Sequence, residues 1–532
     1  MTTETAAIAP ETFAWHGETI GGLLRSRAAV QPEAQALVFE ERSYTWRELV
    51  DAVDRAAAFL AAQGVGVGKS VAVVASNSDA FVIAFIAVAE LGAATVTING
   101  ELDAELVAAT LARAGASLIL VSPDRATALR NFAGLPVFSL GEDCDAGPSL
   151  LAASARLAPL SARAATPVSC CLVMFTSGTT GQPKGVMHSQ RSFILAGEGF
   201  IRRMALDRDD RVLCVLPLFH INALFYSVAG ALAAGAALIV ARRFSASAFW
   251  ATVADSGATQ VNLIAAAGTI LARRDIGEFR PGHALRKVYL APLTREVHDF
   301  FQQHFMVPTI REGYGMTEVP GVINQPFDSP PEFGSMGRVS LHPSDGRPLA
   351  ELRLSEVDGN TIEGPGEGEL WVRTPMIMQG YFRDPAQTAE AIVDGWFRTG
   401  DLVRRTANDS YVFVERIKDI IRRRGENISG AELDRLISAY PEIAQVAVIP
   451  TRSELGEDDI LAVLVPRGAA FSVADFFSWC QLTLPRMKIP RYVTVLKDLP
   501  RTPSQKVEKY KLRRDPSVRA AAIELAPDRP PH

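Results

Sequence analysis

Apolar positions in this chain fall in short dense runs separated by helical spacings. Lys69-Ser-Val-Ala-Val-Val-Ala75, Ala94-Thr-Val-Thr-Ile98 and Ser117-Leu-Ile-Leu-Val121 are nearly continuous apolar runs, the mark of strands buried on both faces. Between them, Ala80–Leu91 reads as a buried helix and Leu102–Ala114 as an amphipathic one. Thr45-Trp-Arg-Glu48 is a capping box that opens a helix through Ala62. Strands alternating with helices predict a parallel α/β sheet.

The rhythm repeats downstream. Cys171–Met174, Arg211–Val215, Ala236–Val240 and Gln260–Ile264 read as strands, and Gln190–Ala205, Phe225–Ala233 and Phe249–Ser256 as helices. Two successive α/β halves are therefore expected. From Leu341 the pattern changes to short alternating strands between Gly, Asp and Pro turns: Leu352–Leu354, Gly368–Arg373 and Tyr411–Glu415. After Arg416 it returns to α+β, with helices Gly430–Tyr440 and Val473–Leu482 and strands Val446–Ile449 and Ile460–Pro466. The expected architecture is α/β. A large N-terminal domain spans 1–417, with two α/β subdomains over 16–340 and a small β subdomain over 341–415. A small α+β C-terminal domain follows over 418–532, and the first ~15 residues form a loose arm.

Composition narrows the function classes. A chain of 532 residues exceeds one ordinary domain, and 48% hydrophobic with 21% charged residues is a globular balance. A net charge of −5 gives no electrostatic case for nucleic acid. Five irregularly spaced cysteines suggest neither a disulfide framework nor a zinc site. Leu224–Ala241 is uncharged over eighteen residues, but Gly235 splits it into a helix and a following strand, so no membrane span is expected. Met1-Thr-Thr-Glu-Thr has no basic start leading into an apolar core, and a cytoplasmic location is expected. Oligomeric state is not readable from these features.

The chemistry concentrates in Phe175-Thr-Ser-Gly-Thr-Thr-Gly-Gln-Pro-Lys-Gly185, which follows a buried strand. Hydroxyls, glycines and one lysine in this order make a phosphate-gripping loop: glycines let backbone N–H groups crowd an anion, and Lys184 adds charge. It is not a Walker A loop, because the spacing to the lysine differs. Four further strings follow: Gly313-Tyr-Gly-Met-Thr-Glu318, Trp396-Phe-Arg-Thr-Gly-Asp401, Arg416-Ile-Lys-Asp419 with Gly425-Glu-Asn427, and Pro500-Arg-Thr-Pro-Ser-Gln-Lys506.

Together these five strings, in this order, closely resemble the motifs of the adenylate-forming superfamily: acyl-CoA synthetases, peptide-synthetase adenylation domains and luciferases. The resemblance covers nearly the whole chain. It implies that Thr176, Ser177, Gly178, Thr179, Thr180 and Lys184 grip the β- and γ-phosphates of ATP. It implies that Glu318 binds Mg2+, that Thr317 contacts the α-phosphate, that Tyr314 stacks on adenine, and that Glu312, Gly313 and Gly315 belong to the ATP/AMP-binding site. Asp401 would take the ribose hydroxyls and Arg416 the ribose or phosphate. Lys506 would enter from a mobile C-terminal domain to neutralise charge at the α-phosphate, with a hinge at Lys418. Arg424, Gly425 and Glu426 would line the pantetheine path of CoA. Gln505 and Arg424 stand where glycine is usual. Lys509, outside the motifs, reads as a solvated charge.

Pro217-Leu-Phe-His220 resembles the acyl-pocket segment, which places Phe219 and His220 at the acid, with His220 a catalytic candidate. Asn262, Ala266, Gly268 and Ala291 complete a roomy, largely apolar pocket. No acid stands in that segment to pair with an amino group, which favours an acyl-CoA ligase acting on a bulky carboxylic acid. The substrates implied are the acid, ATP and coenzyme A. Two alternatives remain open at this stage: an adenylation enzyme that loads a carrier protein, and a non-catalytic nucleotide-binding module.

Overall fold

The computed structural model describes residues 19–100, 104–129, 134–176, 184–356, 359–417, 420–423, 426–452, 458–468, 471–501 and 507–525. The loose arm, most of the phosphate loop, Lys418, Arg424, Gly425 and Lys506 lie outside the described residues. Packing divides the chain into two compact units, Met1–Leu352 with Trp371–Arg398, and Arg353–Leu370 with Thr399–His532. Much of the small β segment expected in the N-terminal domain thus groups with the C-terminal residues.

The first unit is built on two seven-stranded sheets. In one, Val137–Ser139, Leu118–Val121, Ser70–Val74, Ala94–Ile98 and Cys170–Thr176 run parallel. Lys184–Ser189 then turns back antiparallel, and Gly380–Tyr381 closes the edge. In the other sheet Thr309–Arg311, Lys287–Ala291, Gln260–Ile264, Arg211–Cys214, Ala237–Val240 and Gln35–Phe39 run parallel, and Arg42–Thr45 ends it antiparallel.

The two halves are therefore not successive, as the sequence suggested. The hairpin Gln35–Thr45 joins the second sheet, and Gly380–Tyr381 joins the first. The strand Gln35–Phe39 completes a sheet whose other partners lie far along the chain, a pairing that local patterning does not reveal.

Helix Asp79–Glu90 is buried along its whole length. It touches strand Gln35–Phe39 of one sheet and Ala94–Ile98 and Cys170–Thr176 of the other. That position explains its all-round apolarity. Its ends carry charge into the core under control. At the start, Asp79 is held by Arg42 at 2.6 Å and accepts from the Tyr44 hydroxyl at 2.9 Å. At the end, buried Glu90 is paired with Arg25 at 3.1 Å and Arg163 at 2.7 Å. A side chain at Gly21 would overlap the Glu90 carboxylate, its Cβ falling 1.1 Å from Oε1. Trp46–Ala62 is the capped helix expected, with both halves of the Thr45/Glu48 box formed. The uncharged stretch from Leu224 is a π-helix Asn222–Val228, a helix Ala229–Ala234 and, after Gly235 at φ 74°, the strand Ala237–Val240. Among the described residues no helix is long and apolar enough to cross a membrane.

The second unit contains an antiparallel pair, with Asp401–Arg405 running against Tyr411–Arg416, and a hairpin Ile420–Arg423/Glu426–Ser429. A four-stranded sheet follows: Ile443–Arg452, Asp458–Pro466, Tyr492–Val495 and Ile523–Glu524. Helices Gly430–Ile437 and Val473–Thr483 bury Leu433, Ile437, Phe476 and Cys480 against Val448, Ile460 and Leu464 on one face. The other face packs Leu499, Leu512 and Val518.

Candidate active site

The phosphate loop is the turn of a β-hairpin rather than a strand-to-helix turn. Thr176 and Lys184 are register partners, so the hairpin brings the two ends of the loop side by side. The loop's interior, with Ser177, Gly178, Thr179 and Thr180, lies outside the described residues. A Cβ at Gly185 would come 3.0 Å from Phe382 and Val173, so a side chain there would press its neighbours to give way. Lys184 extends its ammonium over the Tyr381 ring, 5.0 Å from the centroid.

The segment Glu312–Glu318 faces this hairpin. Gly313 and Gly315 are required by close backbone approach: Cβ atoms there would lie 2.6 Å from the Ile323 carbonyl oxygen and 2.3 Å from the Gly321 nitrogen. Glu312 is buried and accepts from the Leu293 N–H at 2.5 Å. Burial pushes its carboxyl up to about 7 despite that bond. Tyr314 lies in the short strand paired with Ile323–Asn324, its hydroxyl 3.9 Å from the Met316 sulfur.

Thr317 is fixed through its backbone. His188 donates from Nε2 to the Thr317 carbonyl at 2.6 Å, while the Ser192 hydroxyl is 3.1 Å from Nδ1. Burial pushes His188 down to about 4, so a neutral ring with its proton on Nε2 fits both contacts. Glu318, next along, is also buried. Its carboxylate accepts from the Tyr381 hydroxyl at 3.0 Å, and its backbone carbonyl accepts from the Met378 N–H at 2.8 Å.

The donor chemistry around Glu318 suits magnesium. Among the described residues no cluster of three or more His, Cys, Asp or Glu could hold a metal ion. A single carboxylate supplemented by phosphate oxygens and water is how magnesium usually binds.

Beneath Gly315, Arg203 is buried among the rings of Tyr226, Phe200 and Tyr289, at 4.9, 5.4 and 5.3 Å. It donates to the Gly321 carbonyl at 2.8 Å, which pins the turn following the Gly313–Glu318 segment. Tyr226 sits on the π-helix, so that helix and the Gly313–Glu318 segment meet here, a Cβ at Gly315 falling 2.9 Å from the Tyr226 hydroxyl.

The pocket candidates separate on inspection. His220 and Phe219 lie at the start of that helix with rings 4.6 Å apart. Asn77, missed by sequence reasoning, holds the approach to them: its amide donates to the Leu216 carbonyl at 2.9 Å and accepts from the Leu218 N–H at 2.8 Å. Ala266 and Ala291 are partly exposed. Asn262 is fully enclosed, donating to Ser227 at 2.8 Å and accepting from Gln260 at 2.6 Å. At Gly268 a Cβ would lie 2.3 Å from Leu290, so packing accounts for the glycine. Asn262 is therefore enclosed by its own hydrogen bonds and Gly268 by packing.

In the second unit Asp401 and Arg416 are cross-strand partners, with Arg416 Nε 3.0 Å from Asp401 Oδ1. The Asp401 carboxylate is buried beside the half-exposed guanidinium. Glu426 lies in the strand Glu426–Ser429. Lys509 is not a solvated charge: its ammonium is 2.7 Å from Asp434 and mostly buried. The aspartate four residues into helix Gly430–Ile437 supplies the partner that one-dimensional reading could not see.

The sequence model of the AMP-binding enzyme matches residues 24–382, and that of the AMP-binding enzyme C-terminal domain matches 432–506. A sulfoacetate–CoA ligase of Cupriavidus necator is 32% identical over 94% of this chain and 98% of its own length. An indoleacetate–CoA ligase of Aromatoleum aromaticum is 31% identical over 91% and 96%. The solved O-succinylbenzoate coenzyme A synthetase of Bacillus subtilis, in complex with ATP and magnesium ion, shares the fold with a TM-score of 0.79 at 24% identity, covering 93% of this chain and 99% of that one. With both sequence models matched and its motifs standing on the hairpin, the glycine-rich segment and the Asp401–Arg416 pair, the chain belongs to the AMP-binding enzyme family.

Proposed function

We propose that this chain is an AMP-forming acyl-CoA ligase. It joins a carboxylic acid to the α-phosphate of ATP, releasing pyrophosphate, and then passes the acyl group to the CoA thiol, releasing AMP. The observation that carries the reading is the linked set Lys184, Tyr381 and Glu318, which puts a cation and a carboxylate at the mouth of the phosphate hairpin.

A carboxylate is a poor electrophile, and adenylation gives it a good leaving group. Lys184 binds the outgoing phosphates by charge, and the hairpin brings Thr176 beside it at the two ends of the loop. Glu318 would hold magnesium, which when bound supplies positive charge against the triphosphate. His188, held neutral, fixes the Thr317 backbone and through it the direction of the turn into Glu318. Asp401 accepts from ribose hydroxyls, with Arg416 balancing its charge.

Lys506 is assigned to the α-phosphate in adenylation and Lys418 to the hinge that withdraws it. Arg424, Gly425 and Glu426 are assigned to the pantetheine path. The two named CoA ligase relatives support a CoA acceptor. The partly exposed Ala266 and Ala291 support a bulky, mainly apolar acid. A cytoplasmic location goes with these substrates.

The test is pyrophosphate release across a panel of carboxylic acids, with acyl-CoA and AMP followed with and without CoA. Acid-dependent pyrophosphate release and CoA-dependent thioester are expected. Thioester formed only on an added carrier protein would overturn the acceptor assignment. No acid-dependent release from any acid would overturn the enzyme reading. Short acids giving the highest kcat/KM would overturn the pocket reading.

A further inference from the structure

Tyr381 belongs to none of the motifs that led to the site, yet it touches two of the site's charged residues. Its hydroxyl donates to Oε1 of Glu318 at 3.0 Å, and its ring face carries the Lys184 ammonium, 5.0 Å from the centroid. It is itself held on three sides. Its N–H donates to the Thr388 hydroxyl at 2.8 Å, and its strand pairs with Lys184–Ser189, Tyr381 opposite Val186. Gly380 before it adopts φ 132°, with Thr388 within 3.0 Å of where a Cβ would stand. At 7% exposure, the ring has no freedom to swing to solvent.

We propose that Tyr381 is a positioning residue for adenylation: its hydroxyl fixes the orientation of the Glu318 carboxylate toward the metal, and its ring seats Lys184 for the phosphates. The inference rests on Glu318 being the magnesium-binding carboxylate. A hydrogen bond to a ligand carboxylate fixes its orientation and lowers the ordering cost of metal binding. Loss of such a partner typically costs about 10- to 100-fold in metal affinity. A purely structural tyrosine would leave the magnesium dependence alone.

The two contacts separate by variant. Tyr381→Phe keeps the ring and removes the hydroxyl; Tyr381→Leu removes both. ATP binding to the full chain is measured by calorimetry across a magnesium series and in excess chelator, with Glu318→Gln alongside and thermal midpoints recorded without nucleotide. Tyr381→Phe is expected to raise the magnesium concentration for half-maximal ATP tightening roughly 10-fold, with chelator-state binding unchanged. Tyr381→Leu is expected to weaken chelator-state binding as well, by about 3-fold or more, through the lost cation–π contact. A Tyr381→Phe midpoint within two-fold of the parent, beside a shifted Glu318→Gln, would overturn the role of Tyr381 alone. An unshifted Glu318→Gln would overturn the metal assignment and the inference with it. If Tyr381→Phe does not fold, Thr388→Val, which frees the Tyr381 backbone without touching Glu318, replaces it, and an unchanged midpoint there would overturn the proposal.

Discussion

Glu312 and His188 grip opposite ends of the Gly313–Glu318 segment, and their titrations oppose each other. Glu312 is raised from 4.5 to about 7, so the fold holds its proton more tightly than the unfolded chain does. Its contribution to stability is full below 4.5 and is lost as pH rises to about 7. His188 is lowered from 6.5 to about 4, so its contribution is full above 6.5 and is lost as pH falls to about 4. The two slopes largely cancel between these limits. Glu312→Gln should expose the His188 slope, giving stability that climbs steadily from pH 4.5 to 6.5. At pH 8 the variant should also be more stable than the parent by about 3 kcal/mol, since the amide accepts from Leu293 without a buried charge. Urea denaturation across pH checks both; a variant less stable than the parent at pH 8 would contradict the assignment. None of this was legible in the sequence, where Glu312 is one acid before a glycine-rich string. The same holds for Tyr381, 63 residues from its partner Glu318.

Among elements, those specified locally were the readable ones. The capping box at Thr45, the dense apolar strands and the helix starting at Gln190 depend on neighbours within a few residues. Lys184–Ser189 escaped notice because its polar residues, His188 and Ser189, are buried by tertiary bonds and break the strand pattern. Phe225–Ala233 reads as an ordinary helix in sequence, since the wider turns of the π-helix Asn222–Val228 leave an all-apolar run unchanged. Helix Lys509–Arg514 is short and basic, and its first residue anchors it to Asp434, which also accepts from the Val448 N–H at 2.6 Å. Lys509→Met strands that carboxylate, whose protonation burial already favours. With about a quarter of Asp434 in water, the cost should be about 2 kcal/mol, visible as a lower urea midpoint. Asp434→Asn in the same background should recover most of it; no recovery would deny the pairing its weight.

For the whole molecule, the five motifs in order implied one enzyme family over nearly the whole chain, and both models of that family match it. The sequence could not show how the sheets exchange strands, because strand partners are set by topology and not by composition. On the assignment of Lys506 to the first half-reaction only, Lys506→Ala should lower acyl-AMP formation by about two to three orders of magnitude. Thioester formation from supplied acyl-AMP should change little. Quenched-flow measurement of each half-reaction distinguishes these, and equal losses would refute the division of labour.

The long-range pairing of Gln35–Phe39 with Ala237–Val240 also bears on biosynthesis. A ribosome releases the first of these segments roughly 200 residues before its mate. At translation speeds of about 5–20 residues per second, an apolar edge stays open for on the order of 10–40 s. The nascent protein should therefore engage chaperones during that wait. Fragments cut between the two segments should regain solubility only when co-expressed.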